Sequence, residues 1–96
     1  MRSCRWFLYT GQDSSDIPWN ITHARIDPSV KVIAADAFQG CEQLVMVELS
    51  EGVEEIGDSA FQGCTSLEYI TTPSSLTVIG PFAFQGCSQL QQVKLC

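Results

Sequence analysis

Cysteine is the residue whose spacing first suggests chemistry in this sequence. Cys41, Cys64 and Cys87 lie 23 positions apart, and each ends the same pentapeptide, Ala-Phe-Gln-Gly-Cys. Thiols in such an array could bind zinc or form disulfides. Zinc sites, however, use cysteines in close pairs that converge on one point, and a disulfide needs Cβ atoms about 3.5–4.5 Å apart. Parallel thiols on neighbouring copies of a repeat meet neither requirement, so we expect them to be buried and structural.

Two further cysteines, Cys4 and Cys96, lie outside this array. The repeat explains the other three without a frame of disulfides, which favours reduced thiols, although an exposed Cys96 could crosslink two chains. The apolar run at Trp6–Tyr9 is shorter than the core of a signal peptide. No stretch approaches the roughly 20 apolar residues of a membrane span. By default, we therefore expect an intracellular chain with no segment inserted in a membrane.

Catalysis is the next possibility, and His23 is the single histidine of the sequence. It could act with a cysteine or a carboxylate. However, it occupies the same repeat position as Met46, Tyr69 and Gln92, on the predicted exposed face of a strand. No serine–histidine–acid set, phosphate-binding glycine loop or paired-carboxylate cleft is recognisable in the sequence. We therefore predict a protein that is not an enzyme and that uses no metal or cofactor.

The acidic composition limits the possible partners. The net charge of −6 and the pI near 4.4 argue against binding to nucleic acid or to an anionic membrane surface. An acidic turn contains Glu51, Glu54, Glu55 and Asp58, but it lacks the ligand spacing of an EF-hand loop, so we interpret it as solvated surface. The triplet Asn-Ile-Thr at 20–22 fits a glycosylation acceptor, which matters only in a secreted chain.

The period of 23 residues organises the chain into copies without gaps. These are 30–52, 53–75 and 76–96, with a partial strand at 21–29. The apolar columns are Val30/Val53/Leu76, Ile33/Ile56/Ile79, Ala37/Ala60/Ala83, Phe38/Phe61/Phe84, Cys41/Cys64/Cys87, Leu44/Leu67/Leu90 and Val47/Ile70/Val93. One copy cannot form a core from these side chains alone, whereas stacked copies can. The sequence therefore predicts a single small domain, a solenoid of stacked coils.

Each copy contains two predicted β segments and one predicted helical segment. Residues 30–33 and their equivalents are short and β-rich. The segment from Asp36 to the next glycine, and its equivalents, is predicted to form about one and a half turns of helix, ended by the glycine. Residues 44–49 and their equivalents alternate between apolar and polar, as half-buried strands do. We expect these strands to pair in parallel, about 4.8 Å apart.

The two ends depart from the repeat in different ways. Residues 1–20 are aromatic and turn-rich, and we predict that they form a degenerate N-terminal cap, in which the aromatic side chains of 6–19 cover the first coil. The array itself is assigned to 21–96. After the third copy no polar cap follows, so a parallel edge would be uncovered, which native proteins usually avoid. The chain is therefore either a fragment of a longer array or pairs with another chain through this edge.

The segment Ile-Gly-Asp-Ser-Ala-Phe-Gln-Gly-Cys-Thr-Ser-Leu-Glu-Tyr-Ile, at 56–70, resembles the BspA-type leucine-rich repeat. The 23-residue unit of that family runs Ile-Gly-x-x-Ala-Phe-x-x-Cys-x-x-Leu-x-x-Ile/Val. The resemblance covers 30–96 fully and 21–29 in part. It implies an α/β fold, a short right-handed solenoid with a parallel sheet on one face and short helices on another. It also implies adhesion or protein binding, often at cell surfaces. The sequence departs from that surface-protein pattern because no signal peptide is recognisable in it.

Two outward columns of the predicted strands carry the best functional signal. We call these eight residues the outer-face stripe: His23, Met46, Tyr69 and Gln92 in the first column, and Arg25, Glu48, Thr71 and Lys94 in the second. Arg25 and Glu48 lie on adjacent strands and could form an exposed ion pair, for under about 1 kcal/mol. Repeat solenoids bind through such extended faces, and tyrosine is enriched at binding hot spots.

The sequence thus predicts a non-catalytic module that binds another protein through the outer-face stripe. One alternative is that these are only solvated strand residues, since an isolated exposed tyrosine or methionine needs no explanation. The other alternative is a structural role, in which the chain is a self-associating fragment of a longer adhesin-like or surface protein and associates through its C-terminal edge.

Overall fold

The computed structural model describes residues 6–12 and 14–95, with only the backbone described for 14 and 92–95. Cys4 and Cys96 lie outside the described residues. In chain order, the elements are β1 (Trp6–Tyr9), a 3₁₀ turn (Ser14–Asp16), β2 (His23–Ile26), β3 (Val32–Ile33), β4 (Met46–Glu48), β5 (Glu55–Ile56), β6 (Tyr69–Thr72), β7 (Val78–Ile79) and β8 (Gln92–Leu95). None of these elements is a helix long and apolar enough to cross a membrane.

The strands form two parallel sheets. The larger sheet has the order β1-β2-β4-β6-β8, and the smaller has the order β3-β5-β7. Along the chain from β2 to β8, strands of the two sheets alternate, so each coil contributes one strand to each sheet. Met46 pairs with His23 on one side and with Tyr69 on the other, so that partners lie one repeat apart. These parallel sheets, with almost no helix, are those of a repeat solenoid.

The predicted short helices are not present in the described residues, where turns take their place. In the first copy, Ala37 N–H donates to the Ala34 carbonyl at 3.2 Å, a bond across three residues, whereas Phe38 N–H donates to Ala60 of the next coil at 2.7 Å. Asp36 has a left-handed φ of 62°, which the right-handed helix does not contain. Because alternate N–H groups bond to the next coil, no helical hydrogen-bond ladder forms in this segment.

An aromatic stack forms the axis of the core. The rings of Tyr9, Phe38, Phe61 and Phe84 follow one another with centroid distances of 5.3, 5.2 and 5.5 Å. The two central rings lie parallel to their neighbours in the repeat and are fully buried. The alanine and phenylalanine of each pentapeptide therefore hold one coil against the next, as the apolar columns predict.

Gly57 allows two coils to approach closely. A Cβ at this position would lie 2.6 Å from the carbonyl oxygen of Ile33 and 2.7 Å from the backbone nitrogen of Ala35. Gly80 is in the same situation, because its Cβ would lie 2.7 Å from the backbone nitrogen of Asp58. The first copy has Ala34 in this column, so the turn itself also forms with alanine. The glycine is required only where a complete coil precedes it.

The first strand adds a shorter coil to the stack. Trp6 pairs with His23, 17 positions further along, instead of 23. Tyr9 is fully buried, and its hydroxyl accepts a hydrogen bond from Ala34 N–H at 3.2 Å. Trp19, in contrast, is 69% exposed and does not cover the core. Residues 6–9 thus extend the larger sheet by one strand, and the division between cap and array at residue 20 stays a prediction.

Candidate interaction surface

Strand alternation places the described side chains of the stripe on the outer face of the larger sheet. The residues that alternate with them, Ala24, Val47 and Ile70, are buried and line the core. His23 and Met46 are half-buried, and Tyr69 is 37% exposed. Since consecutive strands pair residue by residue, the first column of the stripe is a continuous row across the sheet.

The second column contains the ion pair that the sequence predicts. Arg25 Nε lies 3.1 Å from Glu48 Oε1, and both side chains are about half exposed. Thr71 continues this column on the next strand and is half-buried. Gln92 and Lys94 occupy the corresponding backbone positions of β8, but their side chains lie outside the described part of the structure.

Trp6 joins the two columns at the N-terminal side of the face. Its ring stands edge-on to His23, with centroids 5.0 Å apart. The guanidinium carbon of Arg25 lies over the same ring, 4.6 Å from its centroid. A guanidinium over the face of a tryptophan is attracted by the ring quadrupole. Trp6, His23, Arg25 and Glu48 therefore form one connected cluster, which we call the tryptophan cluster.

Sequence reasoning missed Trp6 and Leu8 as members of this face. Both point outward from β1, and Leu8 is exposed. They extend the two columns, because Trp6 pairs with His23 and Leu8 pairs with Arg25. Subtracting 23 from the later columns does not reach them, since the first coil is six residues shorter. The run Trp-Phe-Leu-Tyr, rich in the aromatic residues that favour strands, was the signal that could have identified β1 as a strand.

The described cysteines lie away from this face and are free thiols. Cys41 and Cys64 are buried, as predicted, and Cys87 is half-buried. The Cys64 thiol donates to the Phe38 carbonyl at 3.2 Å. Burial raises the pKa of Cys64 to about 12, and it also raises the pKa of Cys41 and of Cys87. Such thiols stay protonated at neutral pH and react poorly as nucleophiles.

A second exposed row runs along the turns of the pentapeptides. Gln39 Nε2 donates to Gln62 Oε1 at 2.8 Å, and Gln62 Nε2 donates to Gln85 Oε1 at 2.7 Å. We call these three residues the glutamine ladder. Their amides face solvent but also bond to each other, so this row links the coils as well as covering them.

Polar and aromatic contacts set the chemistry of this outer face. His23 contacts an aromatic ring and the hydroxyl of Thr22, at 3.0 Å from Nδ1. No group of three or more potential metal ligands was found within 6–12 and 14–95. The outer face instead combines tryptophan, tyrosine, methionine and arginine, the residue types that are enriched at protein interfaces.

Comparison with known proteins identifies the repeat. One family model, described as the BspA type leucine-rich repeat region (6 copies), matches residues 17–96. This match covers most of the chain and includes all three pentapeptides. No curated protein and no solved structure matches the sequence.

Proposed function

The chain belongs to the BspA-type leucine-rich repeat family, and from this premise we propose that it is a non-catalytic module that docks a protein partner on the outer-face stripe. Adhesion and protein interaction are typical of this family, and its members are generally not enzymes. The observation that carries the proposal is the tryptophan cluster, which continues across the sheet into Met46 and Tyr69.

The cluster supports this proposal because it is held in place before a partner arrives. Arg25 is fixed by Glu48 on one side and by the Trp6 ring on the other. Ordering a free side chain at an interface costs about 0.5–1.5 kcal/mol. Side chains that are already ordered avoid much of that cost. Tryptophan, tyrosine and arginine are also the residue types that most often dominate binding energy.

The finer description of the scaffold is part of the same proposal. We infer that the coil is right-handed, with a 23-residue unit, and that the short first coil serves as an N-terminal cap for the array. Under this proposal, the acidic surface with its net charge of −6 favours a protein partner over nucleic acid.

The test is a binding comparison between two double variants. Met46→Ala with Tyr69→Ala removes the exposed apolar groups of the stripe. Val32→Ala with Trp19→Ala removes exposed apolar groups elsewhere and is the matched control. Proteins captured by the immobilised chain from its own cells would be measured by quantitative mass spectrometry. We expect the stripe variant to lose them and the control to retain them.

Equal capture by both variants would refute binding through the stripe. An enzymatic role predicts a different result. If the chain showed turnover that His23→Ala abolished, the non-catalytic proposal itself would be wrong, whichever proteins were captured.

A second candidate function is self-association through the C-terminal edge. The observation that favours it is that β8 and β7 are the last strands of their sheets among the described residues. Within residues 6–12 and 14–95, neither has a neighbouring strand on its outer side, which is where a strand of another chain would bond. This function is compatible with binding on the stripe, because the two surfaces are different.

A further inference from the structure

The apolar groups at the centre of the stripe belong to the most acidic part of the chain. Met46 and Tyr69 pair on β4 and β6, which lie in the copies 30–52 and 53–75. Each of these copies contains four acidic residues, and Lys31 is their only cation, so together they carry a charge of −7 (eight acidic residues less one lysine). A partner that reaches the two apolar side chains therefore approaches through a negative field.

An acidic residue lies on each side of this apolar pair. Glu48 is two positions after Met46, so it shares the outward face of β4, and it is about half exposed. Glu68 directly precedes Tyr69 at the start of β6 and is half-buried. Within the part of the chain that the structure describes, Glu68 has no ion-pair partner. One acidic residue thus precedes the pair along the strand direction, and the other follows it.

The cations of the stripe do not remove this negative charge. Arg25 bonds to Oε1 of Glu48 at 3.1 Å and lies over the Trp6 ring, so it is already engaged. A carboxylate has about four acceptor sites on its two oxygens, so Glu48 can accept further hydrogen bonds. Lys94 is on β8, two strands away from Glu48 in the register. The strands of the apolar pair, β4 and β6, contain no lysine, arginine or histidine.

We propose that the partner docks on the stripe through a basic segment of its chain. Apolar side chains of this segment contact Met46 and Tyr69, and its lysine or arginine side chains bond to Glu48 and Glu68. This inference rests on the proposed function and names the chemistry of the partner. Like charges across an interface oppose binding, whereas complementary charges select the partner and steer its approach. Because exposed charges act over about 10 Å at 0.1 M salt, the two acidic copies also favour the encounter with a cationic segment.

The experiment compares two arrays of short synthetic peptides as probes for the 96-residue chain. The same apolar residues alternate with lysine in one array and with glutamate in the other. The tightest peptides of each array are then measured by fluorescence anisotropy. We expect the lysine peptides to bind at least about tenfold more tightly than the glutamate peptides. Their affinity should fall as the salt concentration rises from about 0.01 M to about 1 M.

Two matched double variants locate the charges that matter. Glu48→Gln with Glu68→Gln removes the carboxylates beside the apolar pair. Glu54→Gln with Glu55→Gln is the control and removes two exposed carboxylates at the smaller sheet. Both variants have a net charge of −4 (−6 with two carboxylates neutralised). We expect the first variant to bind the lysine peptides at least about tenfold more weakly than wild type, and the control to bind them nearly as tightly as wild type.

Three outcomes would overturn the inference. Glutamate peptides that bind as tightly as lysine peptides, or the absence of binding to either array, would exclude a basic segment. Equal losses in the two double variants would exclude recognition by Glu48 and Glu68, because net charge alone would then govern binding. Docking on the stripe is tested separately, by the proteins captured on the Met46→Ala, Tyr69→Ala variant. Loss of those proteins together with failure of the lysine peptides would leave the proposed function standing and reject this inference alone.

Discussion

Two exposed rows of the solenoid, the glutamine ladder and the first column of the outer-face stripe, differ in how much they vary between coils. The ladder repeats one residue three times, because each amide bonds to the same amide of the next coil. The described side chains of the column are His23, Met46 and Tyr69 on three consecutive strands, and Trp6 extends it onto β1. Both rows face solvent, so exposure alone does not explain the difference.

The comparison separates two uses of a repeated position. Where neighbouring coils bond through a side chain, the side chain must bond to the equivalent side chain of the next coil. The same residue type is therefore repeated at that position. Where strands pair through the backbone, the outward side chain is free to differ. Recognition of a specific partner needs such differences, since a uniform row cannot define one register along its length. Under the proposed function, stability therefore comes from the pentapeptide side and binding from the stripe.

The largest expected effect is from Phe61→Ala on the pentapeptide side. Phe61 is fully buried between two rings, at 5.2 and 5.5 Å. Removing a buried phenylalanine leaves a cavity and lowers the free energy of unfolding by about 3–5 kcal/mol. Urea unfolding followed by circular dichroism measures this loss. Tyr69→Ala is the control on the stripe, and we expect it to cost under about 1 kcal/mol. Equal losses in the two variants would contradict the division between the two sides.

A smaller loss is expected from Gly57→Ala. The added Cβ would lie 2.6 Å from the Ile33 carbonyl oxygen, a contact with backbone that requires the coils to move apart. Overpacking of this kind costs about 1–3 kcal/mol. Ala34→Gly in the same column is the control, and its cost should stay below about 1 kcal/mol. The same unfolding experiment would show an unchanged midpoint for Gly57→Ala if the coils were not in close contact.

The pH dependence of stability reports on Cys64. Its pKa is raised from 9.0 to about 12 in the folded chain, so the unfolded chain releases this proton first. The stabilisation is complete below pH 9 and is lost as the pH rises towards 12. Between pH 8 and pH 10, the free energy of unfolding should fall by about 1.4 kcal/mol through this residue. In Cys64→Ala, the free energy of unfolding should fall by less over the same pH range, and the difference should be about 1.4 kcal/mol. If the wild-type and variant curves of this free energy against pH ran parallel, burial of the thiol would be contradicted.

The smallest effect on stability is expected for the exposed ion pair of the stripe. Arg25 and Glu48 lie 3.1 Å apart but are about half exposed. A double-mutant cycle with Arg25→Ala and Glu48→Ala should give a coupling energy below about 1 kcal/mol, and this should decrease in high salt. A coupling of several kcal/mol would mean that the stripe holds the fold together, as the pentapeptides do.

The repeated columns could be predicted from the sequence because their spacing determines which residues share a face. Val47 and Ile70 are buried and Met46 and Tyr69 are more exposed, in the predicted order. The predicted helices were wrong because a glycine ends a tight turn as well as it ends a helix. The hydrogen bond from Phe38 N–H to Ala60 of the next coil is what distinguishes the turn from a helix. Contacts between coils of this kind cannot be inferred from local sequence.

The first strand was missed for a different reason. Its coil is shorter than the others, so Trp6 does not align with His23 at the repeat period, although the two residues pair in the sheet. The predicted columns therefore began one strand too late and omitted Trp6, which extends the first column onto β1. The ion pair between Arg25 and Glu48 was predicted correctly because its partners are separated by one full repeat.

The central claim is that the positions that differ between coils bind the partner and that the identical exposed positions do not. One paired measurement tests it most directly. Proteins from the cell of origin would be captured on two triple variants of the chain: the stripe variant His23→Ala, Met46→Ala, Tyr69→Ala, and the ladder variant Gln39→Ala, Gln62→Ala, Gln85→Ala. We predict that the stripe variant loses the proteins bound by wild type and that the ladder variant keeps them. Retention by the stripe variant together with loss by the ladder variant would contradict the claim.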